Sequence, residues 1–177
     1  MAFLKKQSFT IRASQLTAYS LQLFFSTTIL LLFSSCQTID LYEKVVPIPK
    51  HEWHSSFKPT FKFVIKDTTV PYQLYIILRH NEKYNYNNIW LNVYTLLPGS
   101  REPVKAQYEL PLATNDRGWL GTGMDDLYEH RIALTPPNEK FFFSHPGEYA
   151  FTLEQIMRED PLENVMNVGL RIEKKQP

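Results

Sequence analysis

The chain has 177 residues, a formal net charge of +1 at pH 7 and one cysteine. One cysteine excludes an intramolecular disulfide. The near balance of basic and acidic residues argues against a nucleic-acid surface, which needs a clustered basic excess. Twelve Phe, ten Tyr and three Trp, with 12 prolines against 6 glycines, favour a β protein.

Residues 1–35 have the three parts of an export signal. Three basic residues lie near the start, an apolar run of 13 residues (21–33) follows, and two serines precede Cys36. A transmembrane helix needs roughly 20 apolar residues, so the run is short for one. We therefore expect a signal peptide over residues 1–35 and a mature chain that begins at Cys36 with 16 basic and 18 acidic residues.

The stretch that ends at Cys36 resembles the lipobox of bacterial lipoproteins, with Phe33 where leucine is usual. In such proteins the cysteine thiolate is alkylated by a diacylglyceryl group, and the new amine is a further acylation point for a chain such as palmitate. Two chains already anchor a protein stably, because each buried CH₂ contributes about 0.8 kcal/mol. The alternative is an ordinary buried cysteine at the start of a globular domain.

The first half of the mature chain reads as a series of strands. Residues 40–46 form a candidate edge strand, which ends at two prolines that cannot donate to a ladder. Residues 57–65, 72–79, 89–97 and 105–112 alternate apolar and polar side chains at period two, which predicts half-buried strands.

The second half continues the pattern after a segment rich in turn signals. Three of the six glycines lie in residues 114–123, where we expect a long loop. Alternation then predicts strands over 127–134, 149–153 and 165–172. Two shorter segments complete the prediction: an apolar strand over residues 140–143 and a helical turn within 157–163.

Eight or nine short strands separated by turn signals, with no long 3.6-residue period, predict an all-β fold. An antiparallel β-sandwich of jelly-roll type fits best, and a barrel of similar strand number fits the same pattern. The expected division is a signal peptide over 1–35, a lipidated tether over 36–50 and one β-sandwich domain over 51–177.

One candidate binding surface is aromatic. Tyr84, Tyr86, Trp90 and Trp119 are accompanied by several asparagines, and rings beside amides suit sugar stacking or a protein partner. The alternative is that the tyrosines cover the ends of the sheets and that Trp90 belongs to the core.

One candidate metal site is acidic. Asp125, Asp126 and Glu129 supply the oxygen ligands that Ca²⁺ prefers, but they lack the alternating spacing of a calcium loop. The alternative is that Asp125 caps a short helix and Glu129 is solvated. No spacing singles out a general acid and base, so we expect no metal, no cofactor and no enzymatic activity.

Four stretches in this order resemble the gliding-motility lipoprotein H (GldH) family of Bacteroidetes. They are YNYNNIWL at 84–91, GWLGTGMDDLYE at 118–129, MREDPL at 157–162 and VGLRIEK at 168–174, and the similarity around them extends over nearly the whole mature domain. Met124 stands where the family pattern has glycine before the aspartate.

The resemblance implies a role in gliding motility linked to type IX secretion, and it offers no catalytic residues. Only the lipidated cysteine carries over, onto Cys36. Gln37 follows it in place of an inner-membrane retention aspartate, and no acidic surface-export run is present, so we expect the periplasmic face of the outer membrane.

Three functions remain open from the sequence. The first is a non-enzymatic lipoprotein that binds other envelope proteins, with no nucleic-acid partner. The second is a glycan-binding module that uses Tyr84, Tyr86 and Trp119, and the third is an envelope hydrolase with a carboxylate site near Asp125.

Overall fold

The computed structural model describes residues 41–136 and 138–175, which form an antiparallel β-sandwich, as the sequence predicts. One 3₁₀ turn (Pro49–His51) interrupts the strands. The strands in chain order are β1 (Leu41–Pro47), β2 (Glu52–Trp53), β3 (Thr60–Ile65), β4 (Tyr72–Asn81), β5 (Asn88–Leu96), β6 (Val104–Pro111), β7 (Ala113–Thr114), β8 (Gly118–Trp119), β9 (Thr122–Met124), β10 (Leu127–Ala133), β11 (Gly147–Gln155), β12 (Leu162–Glu163) and β13 (Val165–Lys174).

Two sheets make the sandwich. One has five strands in the order β1-β13-β4-β10-β9, and the other has four in the order β3-β11-β5-β6. Two small pairs, β2 with β12 and β7 with β8, lie outside them. Because β1 pairs with β13 along its whole length, residues 41–47 belong to the sandwich and shorten the tether predicted over residues 36–50.

The core follows the predicted alternation. In β3, Phe61, Phe63 and Ile65 are buried while the residues between them are exposed, which is the period-two pattern of a strand with one wet face. Phe63 stacks on Tyr149 with centroids 5.7 Å apart and meets Phe151 edge-on at 5.3 Å. These rings join β3 to β11 inside the sandwich.

The strand predicted over residues 140–143 is wrong. The only pairing there is an isolated bridge between Phe141 and Tyr72, made by the Tyr72 amide donating to the Phe141 carbonyl at 2.7 Å. The physical reason is packing: Phe143 turns into the core against Tyr72 (5.1 Å) and Tyr149 (4.8 Å), so ring burial rather than ladder pairing fixes this segment.

The helical turn predicted within residues 157–163 is also wrong, because the buried side chain of Gln155 holds this segment open. Its Nε2 donates to the carbonyls of Trp53 (3.1 Å) and Glu159 (3.3 Å), and its Oε1 accepts from the Met157 amide at 2.8 Å. The side chain thus satisfies backbone groups of this segment and of Trp53 without any helical hydrogen bond.

The long loop predicted over residues 114–123 contains short strands instead. The β7–β8 pair forms a small hairpin, and β9 adds to the edge of β10. Five residues of this region are in strands, but its glycines and polar side chains gave the sequence pattern of a turn.

The sandwich has two ends: the end at which β1 begins is called proximal, and the opposite end is called distal. The proximal end, where β1 begins, consists of residues 66–71, 97–103, 134–136, 138–146 and 174–175. The distal end consists of residues 48–59, 82–87, 112–126 and 156–164. The ten residues of β4 run from the proximal end to the distal end, a distance of about 30 Å. Within the described part of the chain, no helix is long and apolar enough to cross a membrane.

Candidate functional site

Two histidines meet inside the distal part of the sandwich. His80 lies on β4 and His130 on the neighbouring β10, and both are buried, with 0% and 2% exposure. Their Nε2 atoms are 2.8 Å apart. The His80 Nδ1 lies 2.7 Å from the Asn81 carbonyl oxygen, which can only accept. His80 therefore carries its proton on Nδ1, and His130 Nε2–H donates to His80 Nε2.

Aromatic rings enclose this pair. Trp119, Tyr84 and Tyr128 lie with their ring centroids 4.4, 5.0 and 5.6 Å from that of His80. No charged side chain among these neighbours offsets a protonated imidazole. Burial therefore lowers the pKa of His80, and burial with the second imidazole lowers the pKa of His130 to about 4. The pair is neutral at pH 7.

Gly121 brings the segment between β8 and β9 directly over His130. A Cβ atom at this position would lie 2.6 Å from the Glu129 carbonyl oxygen and 2.9 Å from His130 Nε2. Both distances are shorter than real Cβ contacts. The absence of a side chain is what allows the chain to close over the buried pair.

We expect Gly121→Ala to destabilise the protein by about 1–3 kcal/mol, the usual cost of forcing an extra carbon into a packed site. The tryptophan fluorescence should shift to the red as the segment that follows Trp119 lifts and exposes this ring. Chemical denaturation with fluorescence detection measures both effects. The exposed neighbour Thr122→Ala is the control and should change stability by less than about 0.5 kcal/mol; equal effects of the two substitutions would contradict the close-contact explanation.

Three of the four aromatic residues predicted as a platform, Tyr84, Tyr86 and Trp119, lie in one cluster but differ in exposure. Tyr84 is 3% exposed, and its hydroxyl donates to the Asn88 carbonyl at 3.0 Å. Burial raises the pKa of Tyr84. Tyr86 packs edge-on against it with centroids 5.9 Å apart, and both Tyr86 and Trp119 are half-buried. Two of the three rings therefore reach the surface.

Trp90 is half-buried rather than fully in the core. It lies on the outer face of the four-stranded sheet in a shallow groove with a volume of about 410 Å³. The groove is lined by Tyr86, Asn88, Trp90, Gln107, Ile156, Met157 and Arg158. The groove combines rings with amide and guanidinium groups.

The acidic residues form a turn and an ion pair. Asp125 and Asp126 connect β9 to β10, and Asp125 has a φ of 56°, so the alternative that it caps a short helix is wrong. Among the described residues, no group of three His, Cys, Asp or Glu side chains is placed to hold a metal ion.

Glu129 lies between two guanidinium groups on the outer face of the five-stranded sheet. Its Oε2 is 2.6 Å from Arg79 Nη2, and its Oε1 is 3.1 Å from Arg131 Nε. Burial acts to raise the pKa of Glu129, but the hydrogen bonds from both arginines outweigh it and lower the pKa. Glu129 is therefore an ionised, paired carboxylate.

Two large apolar side chains stand exposed beside this ion-pair row. Met124 on β9 is 75% exposed and Leu120 is 44% exposed. They line a depression of about 810 Å³ that also includes Arg79, Glu129 and Arg131. β9 is an edge strand of the five-stranded sheet, and all three of its residues are exposed.

The histidine pair is the feature of this region that sequence reasoning missed. A signal existed, since the alternation of Tyr72, Leu74, Ile76 and Leu78 extends by one step to His80. His130 likewise falls on the inward face of its own predicted strand. What the sequence lacks is the register that places the two residues side by side.

Comparisons with known proteins connect the chain to one family. The model of the GldH lipoprotein family matches residues 40–172. A gliding motility lipoprotein GldH homolog of Christiangramia forsetii is 31% identical over 165 residues, which cover 89% of this chain and 97% of that protein. Gliding motility lipoprotein GldH of Flavobacterium johnsoniae is 31% identical over 130 residues, which cover 70% and 78%.

A search of solved structures finds the VP2 subviral particle of infectious bursal disease virus. The TM-score is 0.30 and the identity 14%, with 77% of this chain and 34% of that chain covered. A score this low supports no argument about fold or function.

Proposed function

The chain belongs to the GldH lipoprotein family, and from that premise we propose that it is a lipid-anchored, non-enzymatic part of the gliding-motility machinery, linked to type IX secretion. Its lipid is carried by Cys36, on the periplasmic face of the outer membrane. It acts by binding other envelope proteins. Cys36 lies outside the described residues, and the support for its role is the leader and lipobox pattern.

The observation that carries the binding role is the exposed apolar surface at β9. Contiguous exposed apolar side chains rimmed by polar groups mark interaction sites more often than scattered ones do. Met124, 75% exposed, and Leu120, 44% exposed, line the same depression. Here Met124 and Leu120 are bordered by the paired charges of Arg79, Glu129 and Arg131. An apolar centre with a polar rim is the arrangement of a protein-binding surface.

The proposed absence of catalysis is supported by the state of Glu129. A carboxylate held by two arginines stays ionised and is not poised to donate a proton. The competing hydrolase hypothesis places its acid–base pair near Asp125. Motility that survives both Asp125→Asn and Glu129→Gln would exclude that hypothesis.

We expect Leu120→Glu combined with Met124→Glu to abolish recovery of envelope proteins in a pull-down from detergent-solubilised membranes. Each substitution places a charge on the apolar centre of the proposed surface. The fold should be unaffected, because both side chains are exposed.

The control is Val104→Glu, which adds a charge at a valine that is 59% exposed near the other end of the sandwich. It should leave the recovered proteins unchanged. Unchanged recovery by the Leu120/Met124 variant would refute the β9 surface as the binding site.

A glycan-binding role is the second candidate, and the groove at Trp90 favours it. Half-buried Tyr86 and Trp90 offer ring faces, and Asn88, Gln107 and Arg158 offer hydrogen bonds to hydroxyl groups. Retention of envelope polysaccharide in the same pull-down, lost on Trp90→Ala, would support this role instead.

A further inference from the structure

The described part of the chain begins at the proximal end, close in sequence to the proposed lipid. Leu41, the first residue of β1, is five residues after Cys36. A chain spans at most about 3.5 Å per residue, so Leu41 lies within about 18 Å of the lipidated residue. That reach is shorter than the sandwich, whose strands extend for about 30 Å from the proximal to the distal end. The short tether therefore keeps the proximal end near the bilayer surface.

The proximal end also exposes apolar side chains. Phe142 is 45% exposed, and Val64 and Val104, next to the proximal loops on β3 and β6, are each 59% exposed. Phe142 and Val104 line the same apolar cavity between the sheets, with a volume of about 340 Å³. Exposed aromatic and aliphatic side chains at one end of a domain are suited to the headgroup–acyl boundary of a bilayer.

Charge is distributed unequally between the two ends. The proximal loops carry five basic and three acidic residues: Lys66, Arg101, Lys140, Lys174 and Lys175 against Asp67, Glu102 and Glu139. The distal loops carry five basic and eight acidic residues: Lys50, Lys58, Lys83, Arg117 and Arg158 against Glu52, Glu82, Asp116, Asp125, Asp126, Glu159, Asp160 and Glu163. An anionic bilayer attracts the first end and repels the second.

We propose that the proximal end is a second membrane-contact surface, in which Phe142, Val64 and Val104 enter the headgroup region of an anionic bilayer while basic side chains meet the headgroups. This inference rests on the lipid anchor of the proposed function. It fixes the orientation of the domain: the β9 surface and the aromatic cluster point away from the membrane.

The test uses the mature lipoprotein, because acylation of Cys36 would leave an introduced cysteine as its only free thiol. Phe142→Cys and Val64→Cys place a nitroxide spin label at the proximal end, and Met124→Cys places one at the distal end. Each replaced side chain is exposed, so the fold should tolerate the label. The protein is reconstituted in vesicles of phosphatidylethanolamine and phosphatidylglycerol, and collisions of the label with oxygen and with a water-soluble nickel chelate are measured.

Oxygen collisions are expected to exceed nickel collisions at position 142, and the opposite is expected at position 124. Adding Lys66→Glu and Lys140→Glu should shift the label at 142 toward water. Labels at 142 and 64 that are both as water-exposed as the one at 124 would overturn the orientation.

Mass spectrometry of the same sample separates the lipid anchor from the orientation. An unacylated Cys36 overturns the anchor and the orientation together, whereas an acylated Cys36 with water-exposed proximal labels overturns the orientation alone.

Discussion

Lowering the pH from 7 to 4 is expected to reduce the free energy of unfolding by about 3 kcal/mol through His130 alone. An unfolded histidine titrates near pH 6.5, whereas burial beside His80 lowers the pKa of His130 to about 4. A difference of about 2.5 pH units corresponds to about 3 kcal/mol. For a domain with a typical stability of about 5–15 kcal/mol, this loss is large.

The direction follows from which state binds protons. Between pH 6.5 and about 4 the unfolded chain is protonated at this residue and the folded chain is not, so acid favours unfolding throughout that window. Above pH 6.5 both states are neutral and the contribution is constant; below about 4 both are charged and no further loss occurs. The lowered pKa of His80 acts in the same direction.

His130→Gln tests this explanation, because a glutamine amide can still donate to His80 Nε2 but does not titrate. Urea denaturation of the wild type and the variant at steps from pH 8 to pH 4 should show a much smaller loss of stability in the variant. A loss of equal size in both proteins would mean that protonation of His130 is not its source.

The strands of the sandwich were predictable from the sequence wherever one face of the strand is exposed to solvent. Alternation in β3 and β11 identified these strands because burial on one face repeats every second residue. The prediction from alternation failed at residues 141–143, where packing of side chains replaces strand pairing. The prediction of a helical turn failed at residues 157–163, where the side chain of Gln155 makes hydrogen bonds to the backbone. Local patterns carry no information about such long-range partners.

The family was predictable because specific stretches of sequence identify it, and the match over residues 40–172 confirms the resemblance. The structure adds a reason for the glycines in one of these stretches: Gly121 must let the chain pass over His130. The exposure of Leu120 and Met124 was beyond sequence reasoning. In a linear sequence they look like core residues within a turn-rich segment. The structure shows that both face solvent, Leu120 just before β9 and Met124 on this edge strand.

Phe63→Ala is expected to destabilise the protein by about 3–5 kcal/mol, the usual cost of removing a buried phenylalanine and leaving a cavity. The ring is 5% exposed and contacts aromatic side chains of three other segments: Tyr149 and Phe151 on β11, Phe143 in the preceding loop, and Tyr42 on β1 at 5.5 Å. The contact with Tyr42 crosses between the two sheets.

Loss of this ring should therefore loosen β1, the edge strand that follows the proposed tether, in addition to weakening the core. Hydrogen exchange of the β1 amides should accelerate more than that of the central strand β4, because an edge strand has only one partner, β13.

Val64→Ala is the matched control, since the neighbouring side chain is 59% exposed and its removal should change stability by less than about 0.5 kcal/mol. Urea denaturation at pH 7.5, where the histidine pair is neutral in both states, measures the difference. If the two substitutions cost the same, the aromatic contacts between the sheets do not hold the proximal end together, and β1 must be fixed by its hydrogen bonds to β13 alone.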